Sequence, residues 1–151
     1  AGAIGFGYSS IFVTAPSPEN LQTAFESCIK GLKALKYMVT MKRDLNDGHS
    51  DYEVIYSPVA DHSHIILRIN VFKTHRQTIQ YIAPSESVKL SQAELLIIDE
   101  AAAIPLPLTQ QLLGPYIVIL SSTITGYEGT GRSLSLKLLN ELRKKDAGGS
   151  L

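Results

Sequence analysis

Apolar positions along the chain alternate between two spacings. The run Ile11–Val13 is short and rich in β-branched residues, whereas apolar residues from Pro18 to Lys36 recur every three or four positions. Ser17 offers a helix-capping oxygen, and Pro18 suits the first position of a helix. The pattern predicts a strand that ends at Thr14–Pro16, followed by a helix over residues 18–36.

The middle of the chain predicts a polar loop followed by three strands. The segment Met38–Ser50 follows neither apolar period and reads as an exposed loop. The two β-rich runs Tyr52–Tyr56 and Ile65–Phe72 are joined by a stretch rich in Pro, Asp, His and Ser, which predicts a hairpin. A further strand is expected over Thr78–Ile82, with a short helix over Ser85–Leu90.

A continuous apolar run at Leu95–Ile98 shows no alternation, as expected of a parallel strand with both faces covered by helices. A helix over Pro105–Leu113, a strand over Tyr116–Leu120 and an amphipathic helix over Leu134–Leu142 follow. Strands that alternate with helices predict an α/β fold with a parallel, doubly wound sheet and an inserted β-hairpin. In such a sheet, ligand chemistry lies at the carboxyl ends of the strands.

The composition indicates a single domain without an excess of charge of either sign. With 151 residues, 44% of them hydrophobic, the chain can bury the core of one domain. Lys and Arg together number 14, as do Asp and Glu, so no overall charge draws the chain to nucleic acid or to a membrane. The single cysteine, Cys28, excludes a disulfide within the chain. No apolar run has the length of a membrane span, so a soluble, intracellular protein is expected.

Two adjacent acids, Asp99 and Glu100, follow the predicted central strand. At the carboxyl end of a parallel strand they suit nucleotide hydrolysis, with Asp99 ordering Mg²⁺ through water and Glu100 orienting the attacking water. Acids also follow strands simply as solvated loop residues, so the pair alone leaves both interpretations open.

The next strand ends in Ser121, Ser122 and Thr123. Small hydroxyl side chains beside the acids can sense a γ-phosphate, although a helix cap or a turn explains the same tripeptide equally well. The glycine-rich segment Gly126–Ser133 precedes a helix, and its Arg132 is a candidate phosphate contact; a flexible surface loop is the alternative. A P-loop of the form GxxxxGK[ST] occurs nowhere in the chain.

The stretch Gln92–Leu108 resembles the RNA cytidine acetyltransferase family. Several other segments look like signatures of the same family, and they are spread along most of the length of the chain: Gly7–Pro18, Asn70–Phe72, His75–Ile82, Leu113–Tyr116, Ser122–Ile124 and Gly126–Lys137.

The resemblance implies a large multidomain enzyme that uses acetyl-CoA and ATP to form N4-acetylcytidine in 18S-type rRNA and in tRNA. This chain resembles part of its RecA-like helicase/ATPase module, in which Asp99 and Glu100 act on Mg²⁺ and water. Ser122, Thr123 and Arg132 are then the expected nucleotide-binding residues. The family also implies pre-ribosomal assembly factors or tRNA adaptor proteins as partners, no membrane, and a nucleolar or nuclear location.

The expected domain organisation follows from the same resemblance. Residues 1–145 are predicted to form a partial RecA-like P-loop NTPase core without its P-loop strand, and residues 146–151 a frayed tail. The P-loop is expected just before Ala1, and the acetyl-CoA site in a domain beyond Leu151. Two alternatives remain open: a non-catalytic RNA-binding or assembly scaffold with this fold, and part of a conventional RNA helicase.

Overall fold

The computed structural model describes residues 1–35 and 51–122, together with Asn140. A one-turn helix, α1 (Gly2–Gly5), leads into strand β1 (Ser10–Thr14). A 3-10 helix over Pro18–Leu21 then continues into helix α2 (Gln22–Ala34). Asn20 closes the first turn, because its side-chain oxygen accepts a hydrogen bond of 3.1 Å from the amide of Ser17. The predicted helix is confirmed, but its first turn is 3-10 and it ends at Ala34, with Leu35 as the cap residue.

The later elements follow the predicted order with shifts of one or two residues at their ends. Their bounds are β2 (Tyr52–Tyr56), β3 (Ile66–Val71), β4 (Gln77–Tyr81), β5 (Leu95–Ile98), α3 (Leu106–Gln111) and β6 (Ile117–Leu120). Further 3-10 helices occupy Ala60–His62, Ser87–Gln92 and Ala101–Ala103. The short helix expected over 85–90 is therefore a 3-10 helix displaced towards the carboxyl end.

The strands form one six-stranded sheet in the order β2-β3-β4-β1-β5-β6. Strands β4, β1, β5 and β6 are mutually parallel, whereas β2 pairs with β3, and β3 with β4, in the antiparallel sense. The predicted hairpin is thus confirmed as β2 and β3, and it extends the parallel part of the sheet on one side. The result is an α/β fold in agreement with a partial RecA-like core.

Helical segments cover both faces of the sheet, as a doubly wound arrangement requires. One face packs against α1 and α2, and its largest fully buried side chains include Ile11, Leu21, Leu32, Tyr52 and Ile69. The other face packs beneath α3 and the 3-10 helices, around Ile82, Leu96, Ile98 and Leu112. Alternate residues of β5 thus enter opposite cores, which explains why its sequence is apolar without a break.

Strand β6 is the last strand of the described sheet on its side. Ile117, Ile119 and Leu120 of this strand are between 42% and 50% exposed. No helix among residues 1–35 and 51–122 is long and apolar enough to cross a membrane. The loop predicted over 38–50, the glycine-rich segment 126–133, the helix predicted over 134–142 and the tail 146–151 lie outside the described residues, apart from Asn140.

Candidate functional site

The four parallel strands end at nearly the same level. Thr14 of β1 is paired in register with Ile98 of β5, Ile98 with Leu120 of β6, and Val13 with Tyr81 of β4. The residues that follow these strands therefore gather at a single edge of the sheet, called here the carboxyl rim: Ala15, Pro16, Ile82, Ala83, Asp99, Glu100, Ser121 and Ser122. This is the edge at which ligands bind to parallel α/β sheets.

Asp99 is fixed to the rim by its backbone and by one carboxylate oxygen. Its amide donates a hydrogen bond of 2.9 Å to the carbonyl of Thr14. Its Oδ1 accepts hydrogen bonds from the hydroxyl of Ser121 and from the amide of Glu100, the latter at 3.0 Å. Oδ2 accepts no hydrogen bond from the described residues. One oxygen therefore sets the orientation of the carboxylate, and the other can meet a ligand.

Glu100 adopts a left-handed backbone conformation, with φ of 50°. It is the only non-glycine residue with positive φ among residues 1–35 and 51–122. Such a conformation costs an ordinary L-residue on the order of 1–2 kcal/mol, and strain of this kind concentrates at functional sites. The turn is supported from the neighbouring strand, because the amide of Ala101 donates a hydrogen bond of 2.9 Å to the carbonyl of Ser121.

Ser122 is the second residue after β6 at the carboxyl rim. Its Oγ is buried and has no hydrogen-bond partner among the described residues. A buried polar atom without a partner costs about 1–3 kcal/mol, so the hydroxyl of Ser122, the residue after Ser121 at the rim, is a candidate contact for a ligand atom. Of the hydroxyl and basic residues predicted for the site, Ser122 lies at the rim, whereas Thr123 and Arg132 lie outside the described residues.

The sequence alone does not single out Ser121 among the three hydroxyl residues that follow β6. Within the tripeptide at 121–123, the sequence assigns the nucleotide contact to Ser122 and Thr123, but Ser121 is the residue whose hydroxyl contacts Asp99. That contact depends on the pairing of β5 with β6 at Ile98 and Leu120. The two apolar runs at 95–98 and 117–120 could have predicted this contact. If they are neighbouring parallel strands, the first residue after each one, Asp99 and Ser121, lies at the same edge of the sheet.

A cavity of about 310 Å³ lies between helix α2 and the sheet and reaches Asp99 and Ser121. The rest of its lining is mainly apolar and includes Phe25 and Cys28 of α2 and Ile97 of β5. Asp99 and Ser121 thus contribute a carboxylate and a hydroxyl to a lining whose other side chains are mainly apolar. Few polar groups placed in an apolar concavity are the usual composition of a small-molecule site.

The oxygen groups of the rim fit a magnesium ion that arrives with a nucleotide. Among the described residues, no three His, Cys, Asp or Glu side chains form a cluster that could hold a metal ion without other ligands. Mg²⁺ normally keeps several waters and takes one or two carboxylates together with substrate phosphates. Oδ2 of Asp99 satisfies that requirement, whereas a fully protein-bound metal would need more ligands than the rim offers.

Comparison with known proteins identifies the family. Residues 1–149 match the family described as RNA cytidine acetyltransferase NAT10/TcmA, helicase domain. The chain belongs to the RNA cytidine acetyltransferase family. It is 58% identical to the human RNA cytidine acetyltransferase over 147 residues, and 59% identical to that of Caenorhabditis elegans over 150 residues. The fission yeast enzyme, from Schizosaccharomyces pombe, is 57% identical over 142 residues.

These matches cover nearly all of the chain but a small part of each relative. The alignments take in 97% of this chain against the human RNA cytidine acetyltransferase and 99% against that of C. elegans, and in both cases 14% of the relative. Among solved structures, a large terminase from a thermophilic bacteriophage matches 80% of this chain and 28% of the terminase, with 16% identity and a TM-score of 0.48. The resemblance noted in the sequence is confirmed at the level of the family and its helicase domain.

Proposed function

We propose that this segment forms the acidic half of an ATP-hydrolysing site in an RNA cytidine acetyltransferase. The observation that carries the proposal is the arrangement around Asp99, where one carboxylate oxygen is fixed by Ser121 and the other is open at the carboxyl rim. Glu100, with its left-handed backbone, directly follows Asp99 in the chain, and Ser122, with its buried and unpartnered hydroxyl, directly follows Ser121. Membership of a family whose matching domain is described as a helicase supports a nucleotide as the ligand.

The residues divide the chemistry between them. Bound Mg²⁺ supplies positive charge against the phosphate oxygens of the nucleotide. Asp99 would hold that ion through a coordinated water, with its carboxylate kept in place by the hydroxyl of Ser121. Glu100 would orient the attacking water and accept its proton as the water oxygen bonds to the γ-phosphorus and the bond from that phosphorus to the departing ADP oxygen breaks. Ser122, and beyond the described residues Thr123 and Arg132, would contact the phosphate end of the nucleotide.

The proposal for the activity of the full-length protein rests on its family membership, not on the geometry of the carboxyl rim. We propose that the full-length protein uses acetyl-CoA, bound in another domain, and ATP to form N4-acetylcytidine in 18S-type rRNA and in tRNA. The proposal extends to a nucleolar location and to assembly factors or tRNA adaptor proteins as partners. Nucleoside mass spectrometry of rRNA and tRNA from cells depleted of the protein tests the first part, since N4-acetylcytidine should fall in both.

The site itself is tested in the full-length protein with the variants Asp99→Asn and Glu100→Gln. Glu100→Gln should keep ATP bound while the hydrolysis rate falls by at least about 100-fold, the lower end of what a general base supplies. Asp99→Asn should weaken binding of the nucleotide in the presence of Mg²⁺. The matched controls are Asp61→Asn and Glu26→Gln, which remove exposed carboxylates away from the rim. If the site variants hydrolyse ATP as fast as the controls, the rim is a scaffold and the proposed roles are wrong.

A further inference from the structure

The β2–β3 hairpin adds to the sheet a face that neither core occupies. Val54, Ile69 and Ile79 are paired across β2, β3 and β4, and all three belong to the core beneath α2 or pack against it. Because successive residues of a strand point to opposite faces of a sheet, the chain neighbours of these three residues lie on the other face. Those neighbours are mainly polar, and five of them are called here the polar face: Glu53, Arg68, Asn70, Thr78 and Gln80.

The polar face lies beside the second core and is not part of it. The apolar cluster beneath α3 contains no residue of β2 or β3. The side chains of the polar face are nevertheless shielded from water, since Asn70 is 3% exposed and the other four residues are partly buried. Polar groups that lose contact with water need hydrogen-bond partners in its place.

Two buried polar atoms of this face lack such a partner. Nδ2 of Asn70 donates a hydrogen bond of 2.6 Å to Oε1 of Glu53, which fixes the orientation of the amide and leaves Oδ1 as an acceptor. Within the described part of the chain, Oδ1 accepts no hydrogen bond, and the buried Nε of Arg68 donates none. Arg68 also forms no ion pair with residues 1–35 or 51–122. The face therefore presents an unmet acceptor and an unmet cationic donor, two residues apart on β3.

Both unmet groups can reach a partner by side-chain rotation alone. Arg68 and Gln80 are paired across β3 and β4, and both are long side chains that are partly exposed. Rotation about their torsions changes which of their atoms face solvent and moves them relative to Asn70, while the backbone of the sheet stays in place. Docking on this face thus requires only a local rearrangement.

The charges of the polar face favour a protein surface over nucleic acid. The face carries one carboxylate, that of Glu53, and one guanidinium, that of Arg68, so its formal charges cancel. Binding to a phosphate backbone depends on several cations. A guanidinium pairs well with a carboxylate, often through two parallel hydrogen bonds, and an amide oxygen needs an N–H or O–H donor. A polar protein surface can supply both groups.

We propose that the polar face is the docking surface for another domain of the same full-length protein, which supplies a carboxylate to Arg68 and a hydrogen-bond donor to Asn70. The chain matches 14% of the length of the human and C. elegans relatives, so most of their length lies in other segments. Interfaces between domains of one chain are more polar than permanent subunit interfaces, in agreement with the composition of this face. The inference does not depend on the nucleotide chemistry proposed for the carboxyl rim.

The first test converts the proposed ion pair into a covalent bond. Arg68→Lys keeps the positive charge and introduces a primary amine. A carbodiimide activates a carboxylate in contact with that amine, the amine displaces the resulting urea, and an amide bond forms. After treatment of the full-length protein, mass spectrometry should find a cross-link between the peptide with residue 68 and an acidic peptide outside residues 1–151, in protein of monomer size. Arg76→Lys makes the same change at an exposed position of the β3–β4 loop and should not give this product.

The cross-linking products separate the proposal from its alternatives. Coupling of residue 68 only to Glu53 or to other carboxylates within residues 1–151 would mean that this segment satisfies the face by itself, and the proposal would be wrong. A product of dimer size would assign the face to a second copy of the protein. A yield from Arg68→Lys no greater than that from Arg76→Lys would also overturn the proposal.

Hydrogen exchange tests the docking without covalent chemistry. In Arg68→Glu the new charge repels the partner's carboxylate, so amides in the docked segment should exchange about tenfold or more faster than in the wild type, as expected for the loss of a charge-assisted contact. Arg76→Glu makes the same charge change on the exposed loop and should leave that segment unchanged. If Arg68→Glu fails to fold, the conservative Arg68→Lys cross-link decides the question.

RNA binding is measured on the same proteins, because it is the competing explanation for an arginine on a sheet face. The anisotropy of a fluorescein-labelled oligouridine should give equal affinities for the wild type, Arg68→Glu and Arg76→Glu. Weaker RNA binding by Arg68→Glu alone, with unchanged hydrogen exchange outside residues 1–151, would assign the polar face to RNA and overturn the proposal.

Discussion

The hydroxyl of Ser121 donates a hydrogen bond to Oδ1 of Asp99, across the ends of two neighbouring parallel strands. The two residues are 22 positions apart in the chain. Their contact fixes the carboxylate on which the proposed magnesium site depends, and it leaves Oδ2 open at the carboxyl rim. Several consequences of this arrangement can be measured in the full-length protein.

Removal of the Ser121 hydroxyl should affect nucleotide chemistry more than folding. In Ser121→Ala, Asp99 loses a donor that fixes its orientation, and the loss of such a supporting partner typically lowers metal affinity by about 10–100-fold. The concentration of Mg²⁺ that gives half-maximal ATP hydrolysis should therefore rise. Ser121→Thr keeps the hydroxyl and is the matched control. An unchanged Mg²⁺ requirement in Ser121→Ala would show that the contact has no part in ion binding.

Ser122→Ala should change the stability of the protein and its affinity for ATP in different ways. The buried Oγ of Ser122 has no partner among the described residues, so its removal relieves an unmet group that costs about 1–3 kcal/mol and should leave the nucleotide-free protein as stable or more stable. If the hydroxyl meets a phosphate oxygen, the same variant should bind ATP more weakly. Thermal unfolding without nucleotide and calorimetric titration with ATP are the two measurements. Loss of stability with unchanged ATP binding would assign Ser122 a purely structural role.

The left-handed backbone at Glu100 predicts that glycine and alanine at this position differ in their effect on local stability. Glycine adopts positive φ without strain, so Glu100→Gly should stabilise the local turn by about 1 kcal/mol relative to Glu100→Ala. Both variants lose the carboxylate and should hydrolyse ATP equally slowly. Hydrogen exchange at the amides of residues 101–103 measures the local difference, with slower exchange expected in the glycine variant. Faster exchange in Glu100→Gly would mean that the conformation is not strained.

The loop after β4 should weaken under acidic conditions. The hydrogen bond from Lys89 at 2.6 Å, followed by that from the amide of Ala83 at 2.9 Å, holds the pKa of Glu86 below its ordinary value of 4.5. A carboxylate with a lowered pKa in the folded state stabilises the protein above the unfolded-state value, and this stabilisation is lost as the pH falls through the folded-state pKa. The stability difference between wild type and Glu86→Gln should therefore be small but present at pH 7 and should vanish at lower pH. Chemical denaturation at several pH values checks this, and a difference that grows on acidification would contradict it.

Two results are expected for the isolated 151-residue chain. It should aggregate through the exposed strand β6, and it should show neither ATP hydrolysis nor acetyl transfer. Its sequence contains no GxxxxGK[ST] phosphate cradle, and half-exposed Ile117 and Ile119 lie on the outermost strand of the described sheet. Ile119→Lys should lower light scattering by the purified chain, because a charged edge opposes strand pairing. Val88→Lys, which changes a side chain that is 85% exposed on a 3-10 helix, is the control and should have a smaller effect. Tight ATP binding by the isolated chain would contradict the predicted inactivity.

Much of the fold could be predicted because its signals are local. The unbroken apolar run at 95–98 indicates a strand covered on both faces, and both cores receive alternate residues of β5. The run at 117–120 looks alike in sequence, yet three of its four residues are 42% to 50% exposed, since that strand is the last of the described sheet. A strand's own residues do not reveal how many neighbours it has, because its position in the sheet depends on the rest of the chain.

The candidate site also combines features that the sequence predicts with features that only the structure shows. The sequence by itself determined that two acids follow a parallel strand and that hydroxyl residues follow the next one, since strand ends and residue types can be read from order alone. Only the tertiary structure decided that Ser121 contacts Asp99, that Glu100 is left-handed, and that Thr14 is hydrogen-bonded to both Asp99 and Ile82. The two sets of contacts join segments that are far apart in the chain. Ser121 and Asp99 are 22 positions apart, and Thr14 and Asp99 are 85 positions apart. Thr14 also contacts Ile82. Residue order along the chain does not specify how such distant segments meet; the packing of the complete sheet does.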